Sequence, residues 1–343
     1  MTRNDITSLA PVPTRSRVGL ALGGLFLAAS LLVPGELSII GPGAGTAEAA
    51  ATATGSKKSS ATKKSSTGKK VSSGKRSTSK KKKPVRKRRG YRVSPNGVNA
   101  RAALVIDART GEVLFDKNSG KAMPIASLTK LMTAMVLIES QPEMSRRVMV
   151  TREDLAGSGR SQLRAGEVVT MRDLLHLALL SSDNAATKSL VRNSDLAPEE
   201  FLARMNRKSQ VMGLSNTRFV EFTGLSEQNV STATEYAQIL KTAGNEPLIQ
   251  HITTLPDYTF RSSKRDHHLV NTNRLCRYGI FDVRGGKTGY INESGYCLAT
   301  WVSTRTRDVI SVVLGAPSNS ARFAETRRLI DRWAVTPVAK GAS

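Results

Sequence analysis

Serine and lysine three residues apart, in Ser127-Leu128-Thr129-Lys130, lie on one face of a helix, so the amine can reach the hydroxyl. A serine hydroxyl is a poor nucleophile until a neighbouring base takes its proton. Lys130 can be that base only if its pKa is pulled down by burial and by a second cation. Lys287, in Lys287-Thr288-Gly289, is the candidate for that cation, and Ser182-Asp183-Asn184 lies between the two in sequence. These residue types support acyl transfer through a serine ester. None of the four histidines has a setting that offers a Ser-His-Asp relay. Alone, Ser127 would read as a helix cap and Lys130 as a solvated lysine. The order of the three motifs, with 55 residues from Ser127 to Ser182 and 105 from Ser182 to Lys287, reverses that reading.

The elements that must carry these motifs begin at residue 101. Ala102–Ile106 and Val113–Phe115 are short apolar runs joined by a Gly-containing turn, a hairpin signal. Apolar residues at helical spacing mark Leu128–Ile138 and Met171–Leu180, and Pro198 opens a helix running to Met212. Three strands follow at Gly285–Tyr290, Gly295–Ser303 and Asp308–Leu314, then an amphipathic helix over Arg322–Trp333. Strands at both ends with helices between them predict an α/β (α+β) fold. Its central antiparallel sheet is flanked by helices and has an all-helical subregion, and its first and last strands are neighbours.

Composition sets the rest of the chain apart. The 343 residues carry a net charge of +25, but residues 50–92 hold 17 Lys+Arg and no acid. Residues 93–343 are only mildly basic, at +8, and long enough for a sizeable core. In residues 1–49, Arg15 and Arg17 precede an apolar run from Val18 to Val33, and Ala47-Glu48-Ala49 follows as a cleavage pattern. That is the organisation of a secretory signal peptide, with an uncleaved anchor as its alternative. The Lys/Ser/Thr-rich tract 56–92 cannot bury enough apolar surface to fold. Such a tract would suit nucleic acid inside a cell. After export the expected partners are anionic envelope polymers or lipid head groups, or the tract is a spacer, and no nucleic acid is expected. The domains expected are therefore 1–49, 50–92 and 93–343. Two cysteines, Cys276 and Cys297, allow one disulfide or two buried thiols. His267-His268 reads as a surface or loop pair, and no metal or cofactor is called for.

The stretches PIASLTKLMTAM, LLSSDNAA, NTNRL and GGKTGYINESGYCLAT resemble the low-molecular-mass penicillin-binding proteins, the D-alanyl-D-alanine peptidase family, over about residues 98–335. The resemblance implies a β-lactamase/transpeptidase-like fold and a serine D,D-peptidase acting on peptidoglycan, acylated by β-lactams. Carried over, it implies Ser127 as nucleophile, Lys130 as base and Ser182 as proton relay. It implies Asn184, Lys287 and Thr288 as substrate contacts, and Gly289 as a gap for the substrate backbone. The oxyanion hole would be the backbone N–H groups of Ser127 and Tyr290. Asp183 is expected to be structural or solvent-facing. The KTGYINE-GxC run, with 54 residues after Gly289, is most similar to the D,D-endopeptidase branch. No second C-terminal β-domain is expected after so few residues.

Three alternatives stand beside that reading. One is a D-Ala-D-Ala carboxypeptidase of the same family. Another is a class A β-lactamase, which would need an E-x-x-L-N pattern that Glu199, Glu200 and Glu221 do not provide. The third is a non-catalytic envelope-binding protein that works through the basic tract.

Overall fold

The structure is a computed structural model and describes residues 97–334. The expectations for a signal peptide over 1–49 and a basic tract over 50–92 lie outside the described residues.

In chain order the strands are β1 (Ala102–Asp107), β2 (Val113–Lys117), β3 (Met123–Pro124), β4 (Arg147–Met149), β5 (Val168–Thr170) and β6 (Val230–Ser231). They continue with β7 (Asp257–Arg261), β8 (Asp266–Val270), β9 (Asp282–Ile291), β10 (Gly295–Ser303) and β11 (Asp308–Ala316). The helices are α1 (Lys130–Glu139), α2 (Arg152–Leu155), α3 (Met171–Leu179), α4 (Asn184–Arg192) and α5 (Pro198–Val211). After them come α6 (Ala233–Gly244), α7 (Pro247–Thr254), α8 (Arg274–Arg277) and α9 (Asn319–Trp333).

Five strands form an antiparallel sheet in the order β2-β1-β11-β10-β9. The first and last strands of the chain's sheet do pair, with Leu104 opposite Val312 and Ala102 opposite Leu314. Alternation along a strand sends successive side chains to opposite faces. Leu104, Ile310, Val312 and Leu314 therefore enter the core shared with α1, α3 and α6. Val105, Val309 and Val313 face α9, where they meet Phe323, Leu329 and Ile330. Each such side chain removed from water contributes about 1.5–3 kcal/mol, which makes this two-faced sheet the rigid support for whatever sits on β9. That strand is the sheet edge, so its outer side is free of a sheet partner.

Three local features differ from expectation. Ser127 sits in a 3-10 turn, Ala126–Thr129, which leads into α1 at Lys130. The hairpin β7–β8 was not foreseen, because its polar alternation (DYTFR, DHHLV) resembles a loop in composition. Within it His267 is buried, contrary to the expectation of a surface or loop pair, while His268 on the opposite face of the strand is exposed. Both cysteines are free thiols, Cys297 fully buried and Cys276 partly so. Among the described residues no helix is long and apolar enough to cross a membrane.

Candidate active site

Three elements meet at the edge strand: the 3-10 turn, the α3–α4 loop and β9. Each is shaped by local chemistry. Ala126 takes a left-handed backbone (φ 50°) just before Ser127, and Ser182 does the same (φ 63°) before Asp183. Non-glycine residues hold this conformation only where the surroundings over-determine it. At Ser182 the surroundings are the cap that follows it. Asp183 is the N-cap of α4 and accepts from Ala186 N, Gln162 N and Ser161 Oγ. Its role is thus structural, and it is buried rather than solvent-facing. Asn184 is the first residue of α4, and its amide oxygen meets Lys130 Nζ.

The motif residues come together. Lys130 Nζ lies 3.0 Å from Ser127 Oγ, 2.6 Å from Asn184 Oδ1 and 2.6 Å from the Thr223 carbonyl. Lys287 Nζ lies 2.7 Å from Ser182 Oγ and 3.1 Å from its neighbour's carbonyl at Thr288. Both lysines are only 1% exposed. Burial drops Lys130 to about 7, against the opposing pull of the Glu221 and Asp183 carboxylates. Burial, then repulsion from Lys130 and Arg322, holds Lys287 well below the ordinary lysine value. Burial, expected as one of two causes, is the leading one at both lysines, and the mutual repulsion of the two amines adds to it.

A neutral Lys130 amine has two N–H bonds and one lone pair. Asn184 Oδ1 and the Thr223 carbonyl can only accept, so they take the two N–H bonds. The lone pair is left for the Ser127 hydroxyl, which is the polarity a general base needs.

Gly289 also has a different neighbour from the one expected. A Cβ there would lie 2.8 Å from Ile125 O and 3.2 Å from Ser127 N. Its missing side chain lets the nucleophile turn, part of the protein itself, approach β9. Thr288 Oγ1 donates to Thr272 Oγ1 at 2.8 Å, and Tyr290 is 46% exposed and stacks on Tyr296 with ring centroids 4.2 Å apart.

Four contributors were not singled out from sequence. Glu221 binds its own loop, accepting from Thr223 N and Gly224 N at 2.6 Å each and from Asn229 Nδ2 at 2.8 Å. That loop presents the Thr223 carbonyl to Lys130. Gly224 (φ +84°) packs so tightly that a Cβ would fall 2.0 Å from Ala126 O. Tyr236 donates its hydroxyl to Leu128 O at 2.8 Å, beneath the serine turn. Arg322 Nη1 donates to Gly289 O at 2.9 Å and Cys297 O at 3.1 Å. In a trans peptide this turns the Tyr290 N–H away from Arg322. These contacts join residues far apart in sequence, so no local pattern announces them. Among the described residues no group of His, Cys, Asp and Glu could hold a metal ion.

Known proteins resemble this chain in sequence and fold. A D-alanyl-D-alanine endopeptidase of Pseudomonas aeruginosa is 37% identical over 239 residues, covering 68% of this chain and 77% of its own length. A D-alanyl-D-alanine carboxypeptidase of Bacillus subtilis is 34% identical, covering 71% and 64% respectively. Penicillin-binding protein D2 of Listeria monocytogenes, solved in a cefotaxime-bound form, aligns with a TM-score of 0.61 at 30% identity, over 68% of this chain and 96% of that one. The sequence profile of the D-alanyl-D-alanine carboxypeptidase family matches residues 89–318, and with these relatives it establishes that the chain belongs to that family of peptidases.

Proposed function

We propose that this protein is an exported serine D,D-peptidase that cleaves D-alanyl bonds in peptidoglycan stem peptides through an ester on Ser127. One observation carries the reading. Lys130 is desolvated, reaches Ser127 Oγ at 3.0 Å and gives its other hydrogen bonds to oxygens that cannot return a proton.

Lys130 Nζ takes the Ser127 proton as Oγ attacks the D-alanine carbonyl carbon. The carbonyl oxygen becomes an oxyanion held by the N–H groups of Ser127 and Tyr290. Ser182, held by Lys287 Nζ at 2.7 Å, relays a proton from Lys130 or Lys287 to the departing amine, and the C–N bond breaks. Water then attacks the ester, the C–O bond breaks, and Ser127 regains a proton as the D-alanine carboxylate leaves. Asn184 retains one N–H after bonding the Ser158 carbonyl at 3.0 Å, and that donor is aimed at the substrate amide. Lys287 and Thr288 hold the substrate beyond the cut. A β-lactam enters the same ester, but its amine stays tethered and obstructs water.

Cleavage of cross-links, an endopeptidase activity, is the preferred form. The endopeptidase of Pseudomonas has the higher identity of the two relatives. The groups beside Thr288 are also neutral or already engaged: Thr272 is a hydroxyl, and Arg322 is held by backbone carbonyls. Terminal carboxypeptidase action is the second reading, supported by the Bacillus relative. The signal-like residues 1–49 support a site of action outside the cytoplasm. The tract 56–92 docks on anionic envelope polymers or lipid head groups, and its association with isolated envelopes should weaken with salt; salt-independent association, or none, counts against it.

The deciding experiment is intact mass after incubation with benzylpenicillin. One stable adduct on the wild type and none on Ser127→Ala is expected. A folded wild type without adduct overturns the proposal.

A further inference from the structure

The loop from Gly157 to Gly166 is clamped to the second motif at three points. Ser158 O accepts from Asn184 Nδ2 at 3.0 Å, Ser161 Oγ donates to Asp183 at 2.8 Å, and Gln162 N donates to the same carboxylate at 3.0 Å. Asn184 in turn accepts from Lys130, so the loop backbone is one side chain away from the base. Between those clamps the loop raises Arg160 into solvent, and just past them Arg164. Two residues span about 7 Å at most, so Arg160 starts at the rim of the reaction centre.

The same rim receives the tip of the β7–β8 hairpin. Lys264 Nζ donates to Ala165 O at 3.0 Å, Ser263 N donates to Val168 O at 3.0 Å, and Arg265 donates to Gln162 O. The two segments, 157–166 and 262–265, bring four cations and no acid to one place. Of the adjoining carboxylates, Glu167 is fully buried and engaged with Arg265, Ser262 and His267, and Asp266 is exposed but paired with Arg261 at 2.8 Å. Among the described residues, neither the Arg160 nor the Arg164 guanidinium has a partner.

Held cations without counter-charges, beside a site, act on what approaches that site: they raise the local concentration of anions and select their orientation. We propose that Arg160, Arg164 and Lys264 form the docking surface for the second peptide strand of a cross-linked substrate, pairing with its free carboxylates. The inference rests on the peptidase reading and deepens it. A single stem peptide or a β-lactam has no second strand to place. A cross-linked pair carries a second acidic strand that has to lie somewhere outside the cleft, and here the rim has the complementary charge. The three are positioning residues, because they touch the strand that is not being cut at Ser127.

The test uses the full chain in three forms: wild type, Arg160→Glu/Arg164→Glu, and Arg160→Lys/Arg164→Lys. Each is assayed for hydrolysis of a purified cross-linked dimeric muropeptide and for acylation by benzylpenicillin. The glutamate variant should raise KM for the dimer by about tenfold, with kcat and the penicillin acylation rate within about twofold of wild type. The lysine variant should restore KM, and the wild-type KM should rise with ionic strength more steeply than that of the glutamate variant. All three forms carry the same tract 50–92, so the differences report on the loop. An unchanged KM with intact acylation overturns the docking surface. So does a parallel fall of acylation and dimer cleavage, which would mean that the loop had merely deformed the second motif. A wild type that never acylates overturns the peptidase reading, and this surface with it.

Discussion

Two buried clusters in this molecule each bring a serine to an ionisable pair, and they are arranged for opposite ends. At Ser127 the partner is an amine stripped of water, with neutral oxygens around it and carboxylates kept at a distance. At Ser262 the partner is the Glu167 carboxylate, which accepts Ser262 Oγ at 2.5 Å, His267 Nε2 at 2.6 Å and Arg164 N at 2.9 Å. Serine, histidine and glutamate are all present there, yet serine and histidine both bond the acid and not each other. The serine's acceptor is a carboxylate already held by two other donors and below its ordinary pKa, so it is a weak base for that proton. The acid is satisfied, and the cluster ties the 157–167 loop to the β7–β8 hairpin. Phe260 stacks on His267, with ring centroids 4.6 Å apart, and seals it. Residue types therefore do not make a reactive serine. What matters is whether the buried partner has been left with a lone pair and no counter-charge.

The largest expected effect separates the two serines. Ser127→Ala and Lys130→Ala should each lower the rate of penicillin acylation by at least about 10³-fold, whereas Ser262→Ala should stay within about twofold. Comparable losses from both serines in burst kinetics would break the contrast. Next comes Gly224→Ala, where the added Cβ collides with Ala126 O in a left-handed backbone. It should cut acylation by about 10²-fold and cost about 1–3 kcal/mol in urea unfolding. Glu167→Ala leaves buried donors unpaired and should cost about 3 kcal/mol, with acylation by the folded fraction largely preserved.

The pH dependence sharpens the comparison, because the two clusters respond in different ranges. Acylation should rise about tenfold per pH unit below about 7 and level off above it, as the Lys130 amine becomes neutral. Burial would raise Glu167, but its hydrogen bonds from Ser262 and His267 outweigh this and hold it below the usual carboxylate value. Its folded pKa is depressed, so its contribution to stability is present above the unfolded carboxylate value and is lost as pH falls through the folded one. Acid titration of urea stability in wild type and Glu167→Gln should therefore diverge near neutrality and converge at low pH. The smallest effect concerns Cys276 and Cys297: with both thiols free, dithiothreitol should leave Tm unchanged within about 1 °C, and two thiols should react after denaturation.

The five strands of the central sheet were readable because alternation and β-branching are local. The span Gly295–Ser303 has the predicted ends, and Asp308–Leu314 is extended only to Ala316. Where a helix was predicted its ends fell within a few residues, although Ser318 caps α9 earlier than Arg322 suggested; α4, α6 and α7 were not foreseen. The hairpin β7–β8 was not, since half its side chains are polar and its burial comes from α3 and the 157–167 loop. Ser127, Lys130, Ser182, Asn184 and Lys287 could be singled out because three short motifs stood in one order. Glu221, Gly224, Tyr236 and Arg322 could not, because each acts through a single contact across the fold.

Sequence alone determined the residue types that can exchange a proton and an acyl group, the alternation that builds a sheet from both ends of the chain, and the charge that divides residues 50–92 from the rest. Only the tertiary structure decided which ionisable groups lose their water. Burial is a property of everything packed around a side chain. It drops the Lys130 amine to about 7, and it leaves Glu167, no less buried, held by its hydrogen bonds.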